Sequence, residues 1–183
     1  IVLCLVGSEM CIRDRFRLKP DGSPELVSGT PPDCFARNGQ LWGHPQYRWN
    51  EHRKTGYRWW IDRISRQFEL FDVVRIDHFV GLTHAWMIPG GARTARRGAW
   101  RKVPGREMLE AFHRERGQVP LIAEDLGTVT PAVLKLRDDY ALPGMVLLQE
   151  SFERDDSPTV PHALPERSVV YTCLLYTSPS PRD

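Results

Sequence analysis

A chain of 183 residues, 41% hydrophobic and 26% charged, has the length and composition of one ordinary globular domain. A formal net charge of +2 is too small to point to a nucleic-acid partner or a membrane surface. No apolar run approaches membrane-spanning length, and the opening "IVLCLVG" lacks the basic region, length and cleavage site of a secretory signal. Cys4, Cys11, Cys34 and Cys173 have no metal-site spacing and do not argue for a disulfide framework.

The two ends look foreign to the rest. The head reads "CLVGSEMCIRDR" (residues 4–15) and the tail "CLLYTSPSPRD" (residues 173–183). Codons exist for which most of one string is the reverse complement of the other. An inverted adapter pair flanking a DNA insert reads this way, and the strings resemble the transposase adapters of sequencing libraries. On that reading residues 1–15 and 173–183 are adapter-derived, and residues 16–172 are a fragment of a longer protein with Cys34 as its one cysteine. The competing readings are a natural inverted repeat, or a true hydrophobic start and a disordered Ser/Pro tail.

Residues 16–44 are dense in Gly, Pro and Asp and read as loop. Between Gly56 and Leu70, Trp60, Ile64 and Phe68 recur at helical spacing, with Trp59 beside them, which predicts an amphipathic helix. A buried strand is expected at 71–76, an irregular Gly- and Arg-rich segment at 81–105, and a helix at 106–116. A strand at 119–123 ends at Glu124. A helix over 131–138 follows, with Thr130 as N-cap and Pro131 at its first position. Strands at 144–149 and 167–172 complete the series. Strand and helix alternate from residue 57 onward, so the fold class is α/β with a parallel sheet, either a (β/α) barrel or an open doubly wound sheet. No strand leads into a glycine-rich dinucleotide turn, and "GARTARRG" lacks the Lys-Ser/Thr ending of a phosphate loop.

The chemistry sits where charge follows an apolar strand. In "FDVVRIDHFVG", Asp77 stands two residues after Arg75, so a strand points both to one face. An arginine beside a carboxylate keeps it ionised and oriented, which suits a nucleophile. In "VPLIAEDLG", Glu124 closes the next buried strand with Asp125 beside it. A carboxyl group shielded from water favours its protonated form, which suits a general acid. Carboxylates from neighbouring barrel strands approach to the ~5 Å separation of retaining glycosidases. The residues alone leave a structural reading equally open: an Arg75–Asp77 ion pair at a rim, and Glu124 as a cap. Asp77, His78 and His84 cluster in sequence but lack a recognised metal-ligand spacing, so no metal is expected. His78 fits either a donor to a bound hydroxyl or a packed residue.

Several runs go further. "SGTPPDCF", "GQLWGHPQY", "GYRWWI", "FDVVRIDHFVGL", "IAEDLGTVTPAVLKLRDDYALPGMVLLQ" and "SVVYT" together resemble the 4-alpha-glucanotransferases, the amylomaltase branch of the alpha-amylase superfamily. They cover nearly all of residues 16–172 in the family's order. The resemblance implies a partial (β/α)8 TIM barrel, truncated at both ends, that transfers α-1,4-glucan segments between malto-oligosaccharides. It implies Asp77 as nucleophile, Glu124 as acid/base and Arg75 as the arginine beside the nucleophile. It places Asp33, Trp42, Gly43, Tyr47 and His78 along the glucan, with Trp42 and Gly43 in loops lining the groove. It implies no cofactor, and a cytoplasmic or, in plants, plastid location. A third catalytic aspartate of the family, in a Thr-His-Asp motif after "VVYTG", is absent because the chain reads "VVYTC" into the tail. Cys34 stands where the family often has tyrosine, Val80 where it has arginine, and "QESF" where it has "QFAF". These departures bear on substrate length and rate more than on reaction type.

Overall fold

In a computed structural model of the chain, the described residues are 13–33, 36–117, 120–149 and 163–172. Cys34, residues 150–162, and the end segments apart from residues 13–15 lie outside them. The chain divides into two compact units, Ile1–Ser65 with Gly81–Gly117, and Arg66–Val80 with Gln118–Asp183.

The first unit holds an antiparallel sheet that the composition of residues 16–44 and 81–105 conceals. Strands β1 (Leu26–Thr30), β2 (Gln40–Pro45), β4 (His84–Pro89) and β5 (Ala99–Lys102) lie in the order β2-β1-β4-β5. Both segments expected to be loop or irregular are therefore partly strand. Gly29, which looks like a strand breaker, is what allows the close approach. A Cβ there would stand 2.0 Å from the Gln40 carbonyl oxygen and 2.6 Å from Ile88 Cδ1. Val27, Ile88 and Ala95 form the small core beneath, flanked by Trp86 and Ala92. The Trp86 indole donates to the Ala95 carbonyl at 2.9 Å, and its ring meets Trp100 edge-on across the β4–β5 pair at 5.4 Å.

Helices α1 (Trp49–Lys54) and α2 (Arg58–Phe68) follow β2. The second is the helix expected at 56–70, shortened at both ends, with Ile61 and Ile64 buried. Around them Phe16, Tyr47, Trp49, His52, Trp59 and Trp60 form one aromatic cluster, with Trp49 and Trp60 stacked at 5.8 Å. Helix α3 (Gly105–Arg116) buries Met108, Leu109 and Phe112. Tyr57, buried between the first two helices in sequence, donates its hydroxyl to Glu107 of α3 at 2.8 Å. The same carboxylate receives Arg53 in a two-pronged pair at 2.7 and 2.9 Å.

The second unit carries the parallel strands. Strand β3 (Val74–Ile76) pairs with β6 (Leu121–Ala123), and β7 (Gly144–Leu147) pairs with β8 (Ser168–Tyr171). The Ala123 N–H donates to the Pro143 carbonyl at 2.9 Å and ties one pair to the other. Among the described residues these strands form two pairs, not a closed ring. Strand β3 is shorter than the buried strand expected at 71–76: its ladder with β6 begins at Val74, and Phe71 and Val73 before it are 57% and 50% exposed. Helix α4 (Pro131–Asp139) begins at the expected proline, with Val133 and Leu136 buried. Thr130 occupies the N-cap position but makes no capping hydrogen bond; its hydroxyl oxygen is buried without a partner. No described helix is long and apolar enough to cross a membrane.

One contact tests the packing of α3. Helix propensity alone favours Gly105→Ala by up to about 1 kcal/mol. The new Cβ, however, would lie 2.2 Å from the Leu82 carbonyl oxygen and 2.6 Å from Leu82 Cβ. Gly105→Ala is expected to destabilise the fold by ~1–3 kcal/mol in urea unfolding, opposite in sign to the propensity.

Candidate active site

The site is built by parallel pairing. Ile76 lies opposite Ala123 in the β3–β6 register, so Asp77 and Glu124 are the next residues beyond the same rung, at the C-terminal ends of adjacent strands. Backbone bonds continue the ladder past that rung. Glu124 N–H donates to the Ile76 carbonyl at 3.0 Å, and Phe79 N–H donates to the Glu124 carbonyl at 2.9 Å. Between them His78 has a φ of 52°, a left-handed conformation that a side chain with a Cβ adopts only at a cost of about 1–3 kcal/mol. That turn aims the His78 N–H at Glu124 Oε2, 2.6 Å away. Local strain and a candidate catalytic carboxylate thus coincide.

The two carboxylates live in different surroundings. Asp77 has a side chain 78% exposed, and Arg75 Nη2 donates to its Oδ1. Glu124 is half-buried, and burial pushes its carboxyl group from 4.5 up to about 7. The neighbouring Asp77 charge pushes in the same direction, while the His78 N–H and Arg75 oppose it. Burial also lowers the His78 imidazole, against the pull of the Asp77 charge. One carboxylate is therefore open and held by a cation, and the other is protonated or poised to be so near neutrality.

Behind these residues stands a group the sequence did not single out. Asp125, with a side chain 6% exposed, accepts Arg137 Nη1 from α4 at 2.6 Å and the Met145 N–H of β7 at 2.8 Å. A Cβ on Gly144 would fall 2.8–2.9 Å from the Asp125 carboxylate oxygens, so the glycine makes room for the charge. The available signal was an arginine on the helix after β6 together with a second carboxylate after Glu124. Sequence spacing could not show that the two meet.

Arg75, Asp77, His78 and Glu124 come together in the second unit. Asp33, Trp42, Gly43 and Tyr47 belong to the first. Asp33 accepts the Ala36 N–H at 2.6 Å. Trp42 and Gly43 lie on strand β2, not in a loop, and the Trp42 indole donates to Gln40 Oε1 at 3.1 Å. Tyr47 packs in the aromatic cluster, and its hydroxyl accepts from Arg63 at 3.2 Å. Val80, in place of the expected arginine, is buried.

Fold and site together define an α/β protein with a two-carboxylate centre at the ends of adjacent parallel strands. Comparison with known proteins makes this specific. The family model for 4-alpha-glucanotransferase matches residues 10–174, and the chain belongs to that family. The match runs into both end segments, so it lends no support to an adapter origin for them. The chain is 45% identical over 160 residues to a 4-alpha-glucanotransferase of Thermus thermophilus, covering 86% of this chain and 32% of that protein. It is 42% identical over 161 residues to a chloroplastic/amyloplastic 4-alpha-glucanotransferase of Solanum tuberosum, covering 87% and 28%. The chain thus spans about a third of the length of the curated relatives it matches. Its fold superposes on an amylomaltase from Streptococcus agalactiae, solved in complex with acarbose, with a TM-score of 0.85 and 34% identity, over 88% of this chain and 33% of that one. An amylomaltase from Corynebacterium glutamicum, at 24% identity and a TM-score of 0.63 over 73% of this chain and 19% of that one, shares the fold.

The raised Glu124 pKa has a consequence for stability. Its folded value exceeds its unfolded one, so its contribution is fully present below about 4.5 and is lost as pH rises through about 7. His52 and His78, lowered by burial, act in the opposite direction, so the informative quantity is a difference between variants. Glu124→Gln is expected to gain stability over the parent as pH is raised from 5 to 8, read from melting temperatures of the two proteins side by side.

Proposed function

We propose that the protein to which this chain belongs is a 4-alpha-glucanotransferase that works by retaining double displacement, with these strands forming part of a (β/α)8 barrel. The observation that carries the reading is the asymmetry of Asp77 and Glu124 at adjacent strand ends, one paired with Arg75 and one shielded. Glu124 donates its proton to the glycosidic oxygen of an α-1,4-glucan as the C1–O bond breaks. Asp77 attacks C1 and forms a β-linked glucosyl-enzyme ester. Glu124, now ionised, takes the proton from the 4-hydroxyl of an acceptor sugar. That oxygen displaces Asp77, and a new α-1,4 bond forms. A group with a pKa near 7 serves both directions of proton transfer at neutral pH. On this reading Asp33, Trp42, Gly43, Tyr47 and His78 contact the glucan, and the reaction as written uses no cofactor. We further propose that residues 1–15 and 173–183 are adapter-derived and flank a barrel fragment at 16–172, which resequencing of the source DNA tests.

Maltotriose distinguishes transfer from its rivals when given to the full-length protein. Transfer yields glucose and longer oligomers while total reducing ends stay constant. Reducing ends that rise with each bond cleaved would mean a hydrolase, and binding without reaction a glucan-binding protein. Substitutions then separate the two carboxylates. Glu124→Gln is expected to lower transfer from maltotriose by about 10²–10⁴-fold. It should still accumulate a covalent adduct from a glucosyl fluoride, whose leaving group needs little protonation. Asp77→Asn should form none. Intact-protein mass spectrometry reads both, and an adduct on Asp77→Asn would assign the attack to another residue.

A further inference from the structure

Arg75 makes a second contact that the double displacement does not use. Its Nε donates to the thioether sulfur of Met145 at 3.1 Å, while Nη2 goes to Asp77. Met145 lies on β7 and is 6% exposed. Its backbone is held in turn, because its N–H goes to Asp125 Oδ1 at 2.8 Å and the other Asp125 oxygen receives Arg137. A line of contacts therefore runs from α4 through Asp125 and Met145 to Arg75 and ends on the Asp77 carboxylate.

We propose that Met145 is a positioning residue for the Arg75–Asp77 pair, resting on the reading of Asp77 as the nucleophile. A guanidinium is a rigid planar fork, so anchoring Nε orients Nη2 as well. The anchor has to be apolar enough to stay buried and still accept a hydrogen bond, and a thioether does both. Leucine fills nearly the same volume without an acceptor. If Met145 were only packing, Met145→Leu would be close to neutral. If it positions Arg75, the substitution leaves a charged, half-buried donor without its acceptor and frees the fork to turn away from Asp77.

The test compares Met145→Leu, Met145→Gln and Asp77→Asn in the full-length protein. Met145→Leu is expected to lower kcat for maltotriose transfer by about 10-fold with KM little changed, and to slow glucosyl-enzyme formation from the fluoride donor by the same factor. Its melting temperature should fall by no more than the few degrees that one unsatisfied donor costs. Met145→Gln, whose amide oxygen accepts from Nε, should recover most of the rate. Wild-type rates in Met145→Leu would overturn the proposal. So would equal rate losses in Met145→Leu and Met145→Gln, since only the glutamine keeps an acceptor for Nε. Wild-type transfer by Asp77→Asn would overturn the nucleophile reading itself, and the positioning role with it.

Discussion

The site depends on one register, the parallel pairing of β3 with β6. Opposing Ile76 to Ala123 makes Asp77 and Glu124 neighbours at the sheet's C-terminal edge. A slip of one residue would turn the side chains of one strand to the other face and separate the pair. Backbone bonds on either side of the rung, from Glu124 to Ile76 and from Phe79 to Glu124, resist that slip. The left-handed turn at His78 is part of the same lock, since it delivers a backbone N–H to the Glu124 carboxylate.

Given that register, burial distinguishes the two carboxylates. Two carboxylates side by side repel, and the one with the poorer access to water holds its proton. Glu124 is that one, although it accepts a backbone N–H that favours its ionised form. Asp77 is exposed and has the nearer cation. On the proposed mechanism this difference in surroundings separates the proton donor from the nucleophile.

The buried ion pair between Asp125 and Arg137 serves a different end. Removing charges from water is costly, so the pair adds little net stability, while removing one partner would leave the other buried charge uncompensated. Here the Asp125 carboxylate also holds the start of strand β7 by the Met145 N–H, with Gly144 leaving space for its oxygens. The apolar run "GMVLLQ" therefore meets β6 through a polar contact that its own composition gives no hint of.

Residue order alone was enough for the α/β character of the second unit, the helix starting at Pro131, the strands that begin at Gly144 and Ser168 though not their full expected lengths, and the pairing of Arg75 with Asp77. Each of these follows from local periodicity or from the two-residue repeat of a strand, which need no knowledge of distant neighbours. The antiparallel sheet of the first unit was not legible. Gly29 and the Pro-rich flanks of β1 read as loop until Gln40 and Ile88 are known to press against that glycine. The early end of the buried face before Val74 was hidden too, since Phe71 and Val73 are apolar whether or not anything covers them. In the site, the sequence determined which residues carry charge at strand ends. Tertiary structure alone decided that Ile76 pairs with Ala123, that Glu124 loses water while Asp77 keeps it, and that Asp125, Arg137 and Met145 meet. Those are contacts across 12 to 70 residues of chain, and desolvation depends on what surrounds a group, not on what precedes it.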